Sequence, residues 1–227
     1  MKIGIISDIH GNYEALKMVL AHLDQLNISK VYCLGDVVGY YSQVNECCNA
    51  LIERNIPTLM GNHDWYMVSG GFCTRSEHVN KCLEYQRRVI TKENLKWLGS
   101  NQLQFVLNDL HMVHGGWSDP IDEYLFNPSQ EYFSTIEGKT FISGHTHIQK
   151  LEIYKEKVYC NPGSVGQPRD KNPKSAFAIY DQGEISLHRV AYDIDKVNEL
   201  MKMAGFNDSN YSSLKKNDRF YAGFHIS

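Results

Sequence analysis

The chain has 227 residues, 42% of them hydrophobic and 22% charged, with a formal net charge of −3. That balance suits a globular chain with a sizeable core, read as a single domain over 1–227 with a core to about residue 190 and a C-terminal helix and tail over 191–227. It excludes a global attraction to nucleic acid or to an anionic membrane surface. The cysteines at 33, 47, 48, 73, 82 and 160 form no CxxC pair, which removes a zinc-ribbon reading, and a disulfide framework is not expected at this length. Met1-Lys2 runs directly into a strand, with no signal peptide and no bilayer-length apolar run, so the cytoplasm is the expected location.

In chain order, Lys2 to Ser7 is an apolar strand. A helix follows, opened by Gly11-Asn12, with Leu16, Val19, Leu20, Leu23 and Leu26 on one stripe. Val31 to Leu34 is the next strand. The helix over 43–54 turns Val44, Cys47, Cys48, Leu51 and Ile52 inward. Ile56 to Met60 reads as a third strand, and 65–75, rich in glycine and aromatics, as a loop. Ser76 to Ile90 is helical, and Thr91 caps a short helix through Leu98. The chain then turns to strands, over 103–107, 110–113, 139–143, 149–154 and 157–160. A hairpin over 175–180 and 184–190 follows, then a helix from Ile194 to Ala204. Lys215, Lys216 and Arg219 read as a solvated tail. The alternating first half and strand-rich second half point to two sheets packed face to face with helices outside.

Five of these elements end in oxygen or imidazole ligand types. Asp8-Ile9-His10 places two such residues so that both can point to the same side of an extended segment, although an aspartate there can also cap the next helix. Asp36 after Gly35 is also a turn residue type. In Gly61-Asn62-His63-Asp64, the amide oxygen can ligate a metal without adding charge. The adjacent His63 and Asp64 can form an acid pair in which the carboxylate orients the imidazole and raises its pKa. His114-Gly115-Gly116 sets a histidine where glycines let backbone approach. Gly144-His145-Thr146-His147 sets two imidazoles two residues apart. Each segment alone admits a turn or a cap. Together they describe a centre for divalent ions with incompletely filled coordination.

The series D-I-H (8–10), G-D-V-V (35–38), G-N-H-D (61–64), H-G-G (114–116) and G-H-T-H (144–147) resembles the calcineurin-like metallophosphoesterase superfamily. N-P-G-S-V-G-Q-P-R (161–169) resembles its small bacterial and archaeal phosphodiesterase-like branch. The resemblance implies a four-layer α/β/β/α sandwich of two mixed β-sheets flanked by helices. It implies that Asp8, His10, Asp36 and His147 hold one metal ion and that Asp36, Asn62, His114 and His145 hold a second, with manganese the first expectation and iron, nickel, cobalt or zinc compatible. A hydroxide bridging the ions would attack phosphorus, and His63, supported by Asp64, would protonate the leaving oxygen.

Asn12 is read as a helix N-cap or a phosphate contact. Arg169 either holds a phosphate or shapes its loop, and Tyr124 lines the cleft. The protein Ser/Thr phosphatases of the superfamily carry an arginine after the Gly-Asp motif. Here Val37-Val38-Gly39-Tyr40-Tyr41 follows, which argues against that activity. The expected partner is a small phosphoester or nucleotide-like substrate, with no membrane and no strong nucleic-acid binding. The alternatives are a catalytically weak or inactive metal-binding scaffold and, further off, a DNA nuclease.

Overall fold

The computed structural model describes residues 2–207, so the basic stretch at 215–219 lies outside the described residues. The strands β1 (Lys2–Ile6), β2 (Val31–Cys33), β8 (Ser175–Asp181) and β9 (Glu184–Val190) form one sheet in the order β2-β1-β8-β9. The strands β3 (Gln104–Leu107), β4 (Leu110–Val113), β5 (Thr140–Ser143), β6 (Lys150–Tyr154) and β7 (Lys157–Asn161) form the other in the order β3-β4-β5-β7-β6. Both sheets are mixed: β1 runs parallel to β2 and antiparallel to β8, and β4, β5 and β7 run parallel between antiparallel edges.

The period-2 pattern of β1 explains the layering. Ile3 and Ile5 face the second sheet and join Tyr32, Leu34, Leu110, Met112, Ile142, Cys160 and Ala178 between the two sheets. Ile6 faces the helices α1 (Tyr13–Gln25) and α2 (Val44–Glu53) with Val31, Cys33, Phe177 and Ile179. Gly4 on that face lets α1 approach closely, since a Cβ there would stand 2.9 Å from a Leu23 methyl. The helices α3 (Asn62–Ser69), α4 (Glu77–Val89) and α5 (Lys92–Leu98) extend this outer layer through Met67, Val79, Leu83 and Leu98. The outer face of the second sheet buries Phe141 and Tyr159 under α6 (Gln130–Ser134), through Phe133, and the loop before it, through Leu125. The last described helix, α7 (Ile194–Met203), packs Val197 and Met201 on Tyr41. Two mixed sheets flanked by helices are thus the architecture.

Several local expectations change. The segment 56–60 is not a full strand. It makes single bridges from Thr58 to Cys33 and from Leu59 to Gln102, with Pro57 supplying no N–H. Its position ties the two sheets together, because Met60 N–H donates to the Gln102 carbonyl. The loop expected over 65–75 is helical to Ser69 and is stopped by Gly70 at φ +74°. The one-turn helix α6, capped by Ser129, was not expected. Leu26 and Ile52, expected inward, are exposed: Leu26 is the residue just past α1, and Ile52 lies about 100° around the helix from Leu51.

Candidate metal centre

The C-terminal ends of β1, β2, β4 and β5 converge on one edge of the sandwich, where Asp8, His10, Asp36, His114, His145 and His147 are all buried. The extended geometry expected at Asp8 and His10 is not what aims them. Asp8 and His10 have φ +55° and +56°, Asp36 +53°, His145 +64° and His147 +61°. Each D-x-H or H-x-H segment is an arch with two left-handed residues around a buried middle one, Ile9 or Thr146, so that both flanking side chains rise to the same side. Such backbone is costly for non-glycine residues and clusters at functional sites. Neighbouring glycines make room. A Cβ at Gly61 would lie 2.1 Å from Asp36 Oδ1, and one at Gly144 would lie 2.7 Å from Asp8 Oδ2.

Hydrogen bonds fix the orientation of the ligands. His10 Nδ1–H donates to Val38 O at 2.9 Å, His114 Nδ1–H to Leu34 O at 2.9 Å and His147 Nδ1–H to Gln167 O at 2.7 Å. A carbonyl can only accept, so each neutral imidazole turns its Nε2 lone pair into the centre. Asp36 Oδ1 accepts the His63 amide and Asp8 Oδ2 the His145 amide. Asp36 Oδ2 is then 3.6 Å from His10 Nε2 and 3.5 Å from His114 Nε2. Asp8 Oδ1 lies 3.3 Å from His147 Nε2, and the Nε2 atoms of His10 and His147 stand 2.9 Å apart.

Ligand atoms of Asp8, His10, Asp36 and His147 all lie within 4.8 Å of one another, and so do those of Asp36, His114 and His145. Asn62 opens α3 beside them. Asp8 Oδ1, Asn62 Oδ1, His114 Nε2 and His145 Nε2 are buried with no hydrogen-bond partner. Folded proteins satisfy nearly all such atoms, so orphans of carboxylate, amide and imidazole type in and beside the two groups fit divalent cations. Electrostatics agree. Burial drives His10 and His145 well below the ordinary histidine range and lowers His147, leaving neutral donors. Burial opposes ionisation of Asp8 and Asp36, yet the surrounding histidines outweigh it and hold both carboxyls below the usual range. Burial likewise opposes protonation of His114, but Asp36 and Asp8 raise it to about 9. A cation between these groups replaces that proton.

The expected pairing of His63 with Asp64 does not occur. Adjacent residues on a helix diverge, and the Asp64 carboxylate turns to the backbone, accepting the amides of Val37, Val38 and Gly61 at 2.9, 3.1 and 3.1 Å. Asp64 therefore clamps the Asp36 loop to the start of α3. His63 Nδ1 has no partner, and its Nε2 is 4.0 Å from Asp36 Oδ2. Its pKa is not raised; burial lowers it to about 4. Asn12 is the N-cap of α1, accepting the Ala15 amide and donating to Gly166 O, so its amide is committed to the backbone rather than to substrate. Arg169 donates to Tyr40 Oη and Gln167 Oε1. Tyr124 lies over the His145 ring at 3.8 Å between centroids.

Residues that motif reasoning missed complete the site. Gln86 is buried on the apolar face of α4, where its amide accepts the Gly39 N–H and donates to the carbonyls of Gly39 and Tyr41. A polar side chain in register with Val79, Cys82 and Leu83 was the available signal. The loop it holds presents Tyr40, whose ring stands 4.8 Å from that of His10 and 5.1 Å from that of His63. Arg75, which nothing in its local sequence marks, meets Asp122 of the cleft-lining loop after His114.

Fold and centre together define a two-sheet sandwich with buried ligand groups fit for divalent cations at one edge. Residues 1–184 match the calcineurin-like phosphoesterase superfamily domain, and the chain belongs to that family. It is 36% identical over 225 residues to MJ0912 of Methanocaldococcus jannaschii, covering 87% of this chain and 90% of that one. It is 25% identical over 197 residues to the phosphodiesterase YfcE of Escherichia coli, covering 82% of this chain and 91% of that one. The crystal structure of a metallophosphoesterase from Sphaerobacter thermophilus superposes with a TM-score of 0.83 at 28% identity, over 96% of this chain and all of that one. The protein is a phosphoric ester hydrolase of a metal-dependent family. No helix among the described residues is long and apolar enough to cross a membrane.

Proposed function

We propose that the protein hydrolyses small phosphodiesters or phosphomonoesters, nucleotide-like ones included, in the cytoplasm, with two divalent ions. Asp8, His10, Asp36 and His147 hold one ion, and Asp36, Asn62, His114 and His145 hold the other. The observation that carries this reading is the pair of ligand groups sharing the Asp36 carboxylate. Carboxylate, amide and imidazole ligands suit manganese, and also iron, cobalt, nickel or zinc. When bound, such ions polarise the phosphoryl group and acidify a water.

The chain's own residues do the rest. Asp36 and Asp8 are held by backbone amides, so their free oxygens keep their positions through turnover. His63 is neutral in the metal-free centre because burial opposes its charge. The negative charge of a substrate phosphate beside Nε2 opposes that effect, so the imidazole takes up a proton from solvent and gives it to the leaving oxygen. Arg169, half-buried and donating to Tyr40, faces the same mouth as a cation for the substrate phosphate, and Tyr124 walls the leaving-group side.

The test is turnover of bis-p-nitrophenyl phosphate, p-nitrophenyl phosphate and a nucleotide panel by protein loaded with each metal. Turnover of at least one ester, abolished by chelation, is expected. Failure on every substrate and metal would leave a metal-binding scaffold as the reading.

A further inference from the structure

Arg75 lies outside every motif and follows α3 on the segment leading to α4. Its Nη1 donates to Asp122 Oδ2 at 2.9 Å and its Nη2 to Asp122 Oδ1 at 2.5 Å. The guanidinium also lies 5.3 Å from the centroid of the Tyr124 ring and donates to Tyr66 Oη at 3.4 Å. Asp122 Oδ1 is at the same time 3.5 Å from His145 Nε2, one of the orphaned ligand atoms. A single carboxylate oxygen therefore sits between a guanidinium and a ligand atom of the centre, where an anion would meet positive charge on both sides once cations are bound.

The base of this loop is fixed. A Cβ on Gly115 would stand 2.8 Å from both Asp119 O and Glu123 N, so the loop is packed on the backbone that follows His114. The Glu123 carboxylate accepts the Ser118 and Asp119 amides and the Tyr132 hydroxyl. The Arg75–Asp122 pair above that base is partly exposed, with side-chain accessibilities of 31% and 34%.

We infer that Arg75 is a phosphate-binding residue of this site, and that Asp122 holds the place of a phosphoryl oxygen until the substrate displaces it. The inference rests on the phosphoester reading above. A phosphate offers the guanidinium the same planar pair of oxygens as a carboxylate. Once displaced, Asp122 leaves the substituent of the phosphate against Tyr66 and Tyr124. Asp122 thereby acts as an internal competitor. An ion pair at the surface favours the closed arrangement by about fivefold, and a competent fraction reduced by that factor weakens the apparent affinity equally.

The test uses calorimetric titration of the full chain, first with Mn²⁺ alone and then with inorganic phosphate on the Mn²⁺-loaded protein, for the wild type, Asp122→Asn, Arg75→Gln and the double variant. The Mn²⁺ isotherms should coincide. Asp122→Asn should bind phosphate about fivefold tighter. Arg75→Gln should bind it more than about tenfold weaker, and the double variant should match Arg75→Gln, because the competitor has lost its partner. In turnover, Arg75→Gln should raise KM more than it lowers kcat. A weaker Mn²⁺ isotherm for Asp122→Asn would make Asp122 a metal ligand and overturn the inference. So would unchanged phosphate affinity in Arg75→Gln, or no phosphate binding by either the wild type or Asp122→Asn. Phosphate binding with this pattern but no turnover of any ester would strike the proposed activity and leave the Arg75 assignment standing.

Discussion

Gly61→Ala tests whether the Asp36 carboxylate is the common element of the centre. Gly61 has φ −91°, a conformation alanine adopts freely, so the substitution adds no backbone strain. The added methyl would stand 2.1 Å from Asp36 Oδ1, 2.5 Å from Asp36 N and 2.8 Å from Asp36 Cγ. Ordinary contact needs roughly 3.5 Å, so the carboxylate or the start of α3 must give way by about 1 Å. Metal–ligand distances tolerate about 0.2 Å. Since Asp36 belongs to both ligand groups, both lose affinity together, by about 10–100-fold or more. The apo protein loses about 1–3 kcal/mol to overpacking, roughly 2–12 °C in Tm for a chain of this size. Gly70→Ala is the control. It has open space within 4 Å but φ +74°, so it loses stability through strain and keeps its metal. Metal content by elemental analysis and Mn²⁺ calorimetry, beside thermal melts of apo protein, read both effects. Wild-type metal affinity in Gly61→Ala would refute the reasoning.

His63→Ala should keep full metal content and lose about 10²–10⁴-fold in kcat, most for esters with poor leaving groups; a parallel loss of metal on elemental analysis would count His63 among the ligands instead. Asp64→Ala removes the acceptor of three buried amides and should cost about 1–3 kcal/mol in apo stability, measured by urea denaturation, while leaving the acid limb of the pH–rate profile in place; a shifted limb with unchanged stability would restore Asp64 as the partner of His63. Asp36→Ala should bind neither ion, checked by Mn²⁺ calorimetry, because both ligand groups contain it. EDTA treatment should lower the Tm of the wild type, reversibly on adding Mn²⁺, by the linkage of binding to folding.

The ligand residue types were legible because metal chemistry restricts them to carboxylates, amides and imidazoles and because each follows a recognisable apolar run. The means of aiming them was not. Period-2 reasoning assigns Asp8 and His10 to one face of a strand, whereas left-handed backbone raises them from an arch, and nothing in Asp-Ile-His announces a positive φ for a non-glycine residue. Asp64 shows a second limit. Helical periodicity shows that it diverges from His63, but the amides of Val37 and Val38 that receive it come from a loop 26–27 residues away. Ile56 to Met60 has strand composition and accepts only isolated bridges, because tertiary placement between the sheets overrides propensity. Arg75 and Asp122 are 47 residues apart and meet only through the fold.

The two arches come from different sheets. Asp8 and His10 leave β1 and Asp36 follows β2 in the first sheet, while His114 follows β4 and His145 and His147 leave β5 in the second. Each ligand group therefore draws on both sheets. Cations seated there would act as rivets across the open end of the sandwich, adding to the His114–Leu34 and His145–Asp8 hydrogen bonds, the apolar contacts deeper in and the 56–60 segment. Protection of amides on metal loading should then appear at the ends of β1 and β5 together, in step, rather than spread along either sheet.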